Sequence, residues 1–233
     1  MLGGLEGNIM KKSYIILSSL IACIVLYFVE QVLVVNYVVK TVVKVLFFIL
    51  IPYIYMKFIK KQSLSKSINY KEIDKHHLKM GFLFGIMSFV IILIAFYLLR
   101  NVINLQGISE DLQSKSKITA TSFIFVGLYI TLGNSFIEEY FFRGFIFLNL
   151  YELKSKKTAY IYSSLLFGLY HIGIFKTWFN LGLVGLALLG LISIGFVFCW
   201  LDTKSNNFIN SWIVHILADS AIIIIGLKMF GIV

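Results

Sequence analysis

The sequence contains one stretch on which its interpretation depends, Asn134-Ser135-Phe136-Ile137-Glu138-Glu139-Tyr140-Phe141-Phe142-Arg143-Gly144. Two adjacent carboxylates and an arginine lie here inside an apolar segment, residues 118–151. A charge in hydrocarbon costs at least about 2.5 kcal/mol, so such residues normally face a bundle interior or a wet cavity. In a helix, Glu139 and Arg143 lie four residues apart and can pair, whereas Glu138 points about 100° away. The pattern predicts one glutamate held by a permanent cation and a neighbour that stays free to exchange protons.

The composition around this stretch is typical of a membrane protein. Of 233 residues, 59% are hydrophobic and 14% charged, against about 45–50% and about 25% in a soluble domain. The mean hydropathy is +0.90, and apolar segments of about 18 residues or more, long enough to span a bilayer, recur along the chain. We therefore predict an all-α, polytopic transmembrane bundle of about seven or eight helices, located in the cell membrane.

Polar segments divide the chain into three predicted parts. We interpret residues 1–12 as an N-terminal extension, because Met10-Lys11-Lys12 resembles a second start. Residues 13–117 would form N-terminal membrane helices with a basic loop at residues 60–79, and residues 118–233 the part that carries the site. The predicted helices cover about residues 14–29, 32–58 or 38–58, 80–99, 118–151, 158–175, 178–201 and 208–230.

The helix predicted over residues 118–151 is unusually long. It would extend roughly 50 Å, whereas the hydrocarbon core of a bilayer is about 30 Å thick. The helix must therefore tilt, project or break, and a break at Gly133-Asn134 would create an eighth span and reverse the sidedness of everything after it. With seven spans, the short basic segments place the N-terminus in the cytoplasm.

The net charge of +10 comes mainly from lysines between the apolar segments. This distribution indicates topology and attraction to an anionic leaflet rather than nucleic-acid binding. Lys40 and Lys44 lie within the second predicted helix, near one end, and we interpret them as snorkelling to the interface. The adjacent His76 and His77 do not share a helix face, so a solvated loop is favoured there over a metal site.

Smaller features of the apolar segments predict packing. Gly81 and Gly85 have the small-xxx-small spacing that allows close helix contact. Pro52 is expected to kink the second helix, because proline cannot donate the helical hydrogen bond. Cys23 and Cys199 are expected to be free thiols in the core.

Polar residues in two later helices extend the candidate site. One segment reads Phe167-Gly168-Leu169-Tyr170-His171, and another reads His215-Ile216-Leu217-Ala218-Asp219. In the second segment, His215 and Asp219 lie four residues apart on one helix face. A lone histidine in an apolar helix is more often a core residue than a catalytic one. Two histidines, an acid and a Glu-Glu-xxx-Arg pattern on three helices indicate a site.

Together, the set Glu138-Glu139-xxx-Arg143, Phe167-xxx-His171 and His215-xxx-Asp219 resembles the three motifs of the CaaX protease and bacteriocin-processing family (CPBP, or Abi) of intramembrane endopeptidases. The resemblance covers about residues 120–219, in the order that the family has. Asp219 departs from the pattern, because prenyl-protein endopeptidases of the family usually carry asparagine there.

The resemblance implies hydrolysis of a peptide bond in a membrane cavity. Glu138 would be the general base that activates water, and His171 would help to hold or deprotonate that water. His215, oriented by Asp219, would stabilise the oxyanion on the scissile carbonyl. An arginine stabilises the carboxylate of the glutamate beside it and so makes that glutamate a weaker base. The unpaired Glu138 is therefore expected to be the better base.

The remaining motif residues would support these four. Glu139 and Arg143 would fix the helix and the local field, with Phe167 as a further supporting residue of the second motif. Expected partners are membrane lipid and a peptide or lipoprotein-like substrate, such as a pheromone, a bacteriocin precursor or a CaaX-like protein. No nucleic acid is expected, and the oligomeric state stays open.

The alternatives concern the metal and the function. Glu138, His171 and His215 could hold Zn²⁺ with one open position. However, the chain has no His-Glu-xx-His motif, and the family favours a glutamate mechanism without a metal, so we expect no cofactor and keep Zn²⁺ as the alternative. A non-proteolytic bacteriocin self-immunity protein or membrane scaffold is the alternative function. A proton-coupled transporter is disfavoured, because no motif occurs twice.

Overall fold

The computed structural model describes residues 2–33, 35–62 and 75–233, except for the side chains of residues 2–5 and 75–77. Most of the predicted basic loop at 60–79, and the side chains of His76 and His77, therefore lie outside the described residues. The described part is 85% helical and contains no strand.

Eight helices make up this part of the chain: α1 Leu2–Gln31, α2 Tyr37–Ile59, α3 Lys75–Leu99, α4 Leu105–Ser114, α5 Ala120–Glu152, α6 Lys156–Phe175, α7 Leu181–Ser205 and α8 Ile209–Met229. Within the described ranges, seven of these are long and apolar enough to cross a membrane, and α4 is not among them. The predicted all-α, polytopic bundle is confirmed. Residues 2–12, which we interpreted as an extension, continue into the first of these helices.

The long helix α5 does not break where a break was expected. It passes through Gly133-Asn134 in a π-helical segment, Tyr129–Asn134, and a second π-helical segment covers Tyr140–Phe147. Of the two predicted numbers, seven and eight, the described residues give seven candidate spans. In lipid, a true break would leave backbone groups without hydrogen bonds, whereas a π-helical segment keeps them paired and only shifts the register.

The second π-helical segment lies at the centre of the bundle. All eight of its residues are buried, and two of its carbonyl groups accept hydrogen bonds from side chains. Ser163 Oγ donates to the carbonyl of Phe142 at 2.9 Å, and Asn149 Nδ2 donates to that of Phe145 at 2.8 Å. The contact of Ser163 joins α6 to the helix that carries the two glutamates, and that of Asn149 lies within this helix.

The packing predictions hold. A Cβ atom at Gly81 would lie 3.2 Å from the backbone oxygen of Asn210, so the glycine spacing brings α3 against α8. In α2, the chain changes from α- to π-helix at Tyr55, soon after Pro52, which is the distortion that the proline predicts. Cys23 and Cys199 are buried free thiols.

The short helix α4 lies in the segment that the sequence indicated only as polar. Its Asp111 accepts a hydrogen bond of 2.8 Å from Trp178 Nε1, which joins α4 to the connection before α7. Burial acts to raise the pKa of Asp111, but hydrogen bonds from Lys115 and Trp178 outweigh it and hold that pKa below its ordinary value.

Candidate active site

The three motifs meet inside the bundle, where α5, α6 and α8 come together and α2 packs beside them. The two glutamates of α5 are almost fully buried, with Glu138 1% and Glu139 0% exposed. Arg143 is 0% exposed. Such burial is tolerated because each of these groups lies close to an opposite charge inside the bundle.

The carboxylate of Glu138 has two different sides. Its Oε1 accepts hydrogen bonds from Asn134 Nδ2 at 2.9 Å, Lys44 Nζ at 3.1 Å and Tyr170 OH at 3.3 Å. Its Oε2 faces two imidazoles, with His171 Nε2 at 3.5 Å and His215 Nε2 at 3.9 Å. Glu138 is therefore not the unpaired glutamate that the sequence predicted.

Lys44 explains the difference. We expected this lysine to snorkel to the interface, but its side chain is only 18% exposed and forms an ion pair with Glu138. Lys40, one turn earlier, pairs with Glu30 at 2.6 Å. The snorkelling interpretation is wrong for Lys44, because a buried carboxylate within reach satisfies its ammonium more directly than a distant interface does.

The pairing predicted for Glu139 and Arg143 is present. Arg143 Nε lies 3.3 Å from Glu139 Oε2, with both side chains 0% exposed. The guanidinium carbon of Arg143 lies 4.0 Å from the ring centre of Phe167 and 4.7 Å from that of Phe198. These are cation–π distances, so Phe167 covers the arginine, and the pair is enclosed in aromatic surroundings.

His215 is held by a different residue from the one expected. Its Nδ1 lies 2.8 Å from Glu139 Oε1, whereas Asp219 Oδ2 lies 3.7 Å from Nε2, beyond hydrogen-bond distance. Because a carboxylate only accepts, Nδ1 carries the donated hydrogen. The geometry makes Glu139 the residue that orients His215 and leaves Nε2 directed between Asp219 and Glu138.

His171 is fixed by its own helix. Its Nδ1 donates to the carbonyl of Phe167 at 2.8 Å, since a carbonyl oxygen can only accept. This bond places Nε2 towards Glu138. The side chain of His171 is 14% exposed, more than either glutamate.

Three further polar residues belong to this neighbourhood. Asn134 and Tyr170 lie inside the quoted motifs, but their spacing alone did not mark them as partners of Glu138. Asp202 is 0% exposed and accepts a hydrogen bond from Ser211 Oγ at 2.9 Å, one turn before His215. The sequence placed Asp202 just past the end of its helix, whereas α7 extends to Ser205; a lone acid next to an apolar helix was the signal available.

The arrangement can be tested against the Zn²⁺ alternative. Within the described ranges, no group of three His, Cys, Asp or Glu side chains is arranged to hold a metal ion. The ammonium of Lys44 also lies 3.1 Å from the glutamate that would be a ligand, so a divalent ion would add charge to an already cationic position. The residues as placed do not fit a zinc site, and no step below uses one.

Comparison with known proteins shows a family similarity in the part of the chain that carries the site. Residues 120–221 match the family described as type II CAAX prenyl endopeptidase Rce1-like. The resemblance to the CPBP family that the three motifs carry is confirmed for this part of the chain, since all three motifs lie within the matched residues.

Part of the chain is also similar to a curated bacterial protein. The chain is 38% identical over 78 residues to the UPF0177 protein YxdF of Lactococcus lactis subsp. lactis (strain IL1403). The alignment covers 34% of this chain and 37% of that relative's length. No solved structure matches the chain.

Proposed function

We propose that this protein is an intramembrane endopeptidase that hydrolyses a peptide bond of a membrane-associated peptide or protein with a glutamate-activated water. The family match over residues 120–221 supports the class of reaction, and the seven candidate spans of the described residues support the location. The single observation that carries the proposal is the carboxylate of Glu138, whose Oε2 faces the Nε2 atoms of two histidines at 3.5 and 3.9 Å.

In the first step, a water beside Glu138 Oε2 loses a proton to that oxygen and attacks the scissile carbonyl carbon. His171 Nε2 lies near enough to orient the same water through its second hydrogen or lone pair. A general base in this position accounts for rate factors of about 10²–10⁴. Collapse of the tetrahedral intermediate breaks the C–N bond, and Glu138 returns the proton to the leaving amine.

The oxyanion of that intermediate requires a positive hydrogen-bond donor. As an imidazolium, His215 would donate from Nε2 to the oxyanion while Nδ1 donates to Glu139. Charge stabilisation of this kind is among the largest contributions in acyl transfer. The Glu139–Arg143 pair would keep the imidazole in position, and Asp219 would balance its charge from 3.7 Å.

The substrate class follows from where the site lies. A site on membrane helices favours a peptide that is itself anchored in or on lipid, such as a pheromone, a bacteriocin precursor or a CaaX-like protein. The proposed partners are therefore lipid and one such peptide.

The proposal is tested by cleavage of candidate membrane-anchored peptides by the purified protein in liposomes. We compare the wild type with Glu138→Gln, His171→Ala and His215→Ala, and with Glu152→Gln as a matched control, since the side chain of Glu152 is 62% exposed and pairs with Lys60 instead. Cleavage should be lost in the three site variants and kept in the control.

The same variants separate the enzyme from the self-immunity or scaffold alternative. A scaffold would keep its cellular phenotype in all three site variants at normal membrane levels. That result would contradict the protease proposal, whereas parallel loss of phenotype and cleavage supports it.

A further inference from the structure

An ion pair joins α2 to α5, and its lysine, Lys44, lies outside the three motifs. We propose that Lys44 is a positioning residue for Glu138, which fixes the carboxylate so that Oε2 is presented to the water and the histidines. This inference rests on the proposed function of Glu138 as the base. Lys44 belongs to α2, outside the residues 120–221 that match the family.

The contacts of the lysine form a closed set. Lys44 Nζ donates to Asn134 Oδ1 at 2.8 Å and to Glu138 Oε1 at 3.1 Å. Asn134 in turn donates from Nδ2 to the same oxygen of Glu138 at 2.9 Å. The ammonium also lies 5.4 Å from the centre of the Tyr170 ring, whose hydroxyl donates to that oxygen as well.

This set treats the two carboxylate oxygens unequally. Three donors converge on Oε1, while Oε2 forms no hydrogen bond and is buried. A carboxylate held at one oxygen by three donors from different directions cannot rotate freely. The unoccupied oxygen is then directed at His171 and His215, where a base is required.

Helix α2 packs tightly against α5 one turn after Lys44. Phe48, one turn after Lys44, stacks on Phe141 of α5 with ring centres 4.0 Å apart and planes at 3°. Phe48 and Phe141 are both 0% exposed. The lysine is therefore delivered to Glu138 by a helix that is packed rigidly against the same helix that carries the glutamate.

A purely structural role would predict something different. If Lys44 served only to satisfy a buried charge, its loss would lower stability and affect every kinetic parameter through the folded fraction. A positioning role predicts a lower kcat in correctly folded protein, because the geometry of proton transfer changes while the peptide-binding surface does not.

The test uses cleavage kinetics of the full-length protein in liposomes with the peptide that the wild type cleaves. Lys44→Met removes the charge at similar length, and Lys44→Arg keeps a cation. Lys40→Met is the matched control, since Lys40 lies one turn earlier on the same helix and pairs with Glu30 at 2.6 Å. Folding of each variant is monitored by its thermal unfolding midpoint, Tm.

We expect Lys44→Met to lower kcat by about 100-fold, the size of effect that a displaced catalytic group produces, with KM unchanged. Lys44→Arg should recover most of the lost kcat, and Lys40→Met should keep the wild-type kcat. Wild-type kcat in Lys44→Met, equal losses in Lys44→Met and Lys40→Met, or a loss confined to KM would each overturn the proposal.

A second measurement separates failure of this inference from failure of the proposed function. The Tm shifts of Lys44→Met and Glu138→Gln should not add in the double variant, because the two residues share one interaction. Additive shifts would overturn the coupling. If the wild type cleaved no peptide, the proposed function would fail, and this cycle would still decide whether Lys44 acts on Glu138.

Discussion

Glu138 and Glu139 are adjacent in the sequence, yet their surroundings in the bundle are opposite in kind. The Glu138 pocket is polar, and its members are Lys44, Asn134, Tyr170 and His171. The Glu139 pocket is closed by aromatic rings around a permanent cation, and its members are Arg143, Phe167, Phe198 and His215. The Oε2 atom of each carboxylate forms no hydrogen bond, but that of Glu139 lies in an ion pair 3.3 Å from Arg143 Nε, whereas that of Glu138 faces two imidazoles.

Two adjacent positions on one helix place the two glutamates in different surroundings. A rotation of about 100° per residue sends neighbouring side chains to different helices, so Glu138 meets α2 and α6 whereas Glu139 meets α8. In the aromatic pocket an ion pair gains from the low dielectric and excludes water. In the polar pocket a lysine and two neutral donors hold the charge of Glu138 at Oε1.

Glu138→Gln should give the largest loss of cleavage rate, because it removes the proposed base. Glutamine keeps the shape and can still contact Lys44 and Asn134, but it cannot accept the proton of water. We expect kcat/KM to fall by about 10²–10⁴-fold, which is far more than the accompanying change in Tm would cause through the folded fraction. Cleavage rates and Tm measured on one preparation check this; a variant that unfolds earlier but cleaves normally when folded would contradict the division of tasks.

Arg143→Met should affect stability first. It leaves Glu139 buried without its cation, and removing one partner of a buried pair costs about 3–5 kcal/mol. Arg143→Lys should recover only part of this, because an ammonium cannot stack its plane between Phe167 and Phe198 as a guanidinium does. Unfolding in detergent measures both variants. Full stability in Arg143→Met would show that the aromatic pocket does not depend on the cation.

Phe167→Leu should have a smaller effect in the same pocket. Leucine retains apolar contact but loses the ring 4.0 Å from the guanidinium of Arg143, and a cation–π contact contributes about 0.5–2 kcal/mol. The loss should appear as a reduced unfolding free energy. A matched Phe147→Leu variant, whose equally buried ring contacts Tyr160 instead, controls for the general cost of removing an aromatic side chain. Equal losses in the two variants would argue against a cation–π contribution.

Removal of metal ions should change nothing. Since the residues around Glu138 do not fit a zinc site, cleavage should continue at the wild-type rate after treatment with a chelator and dialysis. The measurement is the initial rate before treatment, after treatment and after addition of Zn²⁺. Loss on chelation with recovery on Zn²⁺ would establish the metal mechanism for the same residues and end the contrast between the two pockets as drawn here.

The sequence predicted most of the fold because the signal for it is local. Apolar segments of spanning length are visible without knowledge of neighbours, so the helices were located to within a few residues, with Leu2 at the start of α1 as the main exception. The sequence left open whether α5 would tilt, project or break, because Gly133-Asn134 resembles a helix break. The hydrogen bonds that a membrane interior demands of the backbone decided in favour of a π-helical segment.

The site was predicted in part. Spacing of four residues on one helix correctly paired Glu139 with Arg143. The same rule suggested Asp219 as the partner of His215, but Glu139 of another helix lies closer. Spacing describes only contacts within one helix, so every partnership between helices was beyond it, including that of Lys44 with Glu138.

The order of residues along the chain is sufficient to predict a bundle of membrane helices and three motifs that carry charged and polar side chains. These properties depend on hydrophobic length and on residue identity, which are written along the chain. The packing of the helices sets which oxygen of Glu138 accepts hydrogen bonds and which faces the histidines. It also sets which acid orients His215. Those answers depend on how α2, α5, α6 and α8 approach one another, because a charge in a low-dielectric interior takes the partner that packing brings within a few ångströms.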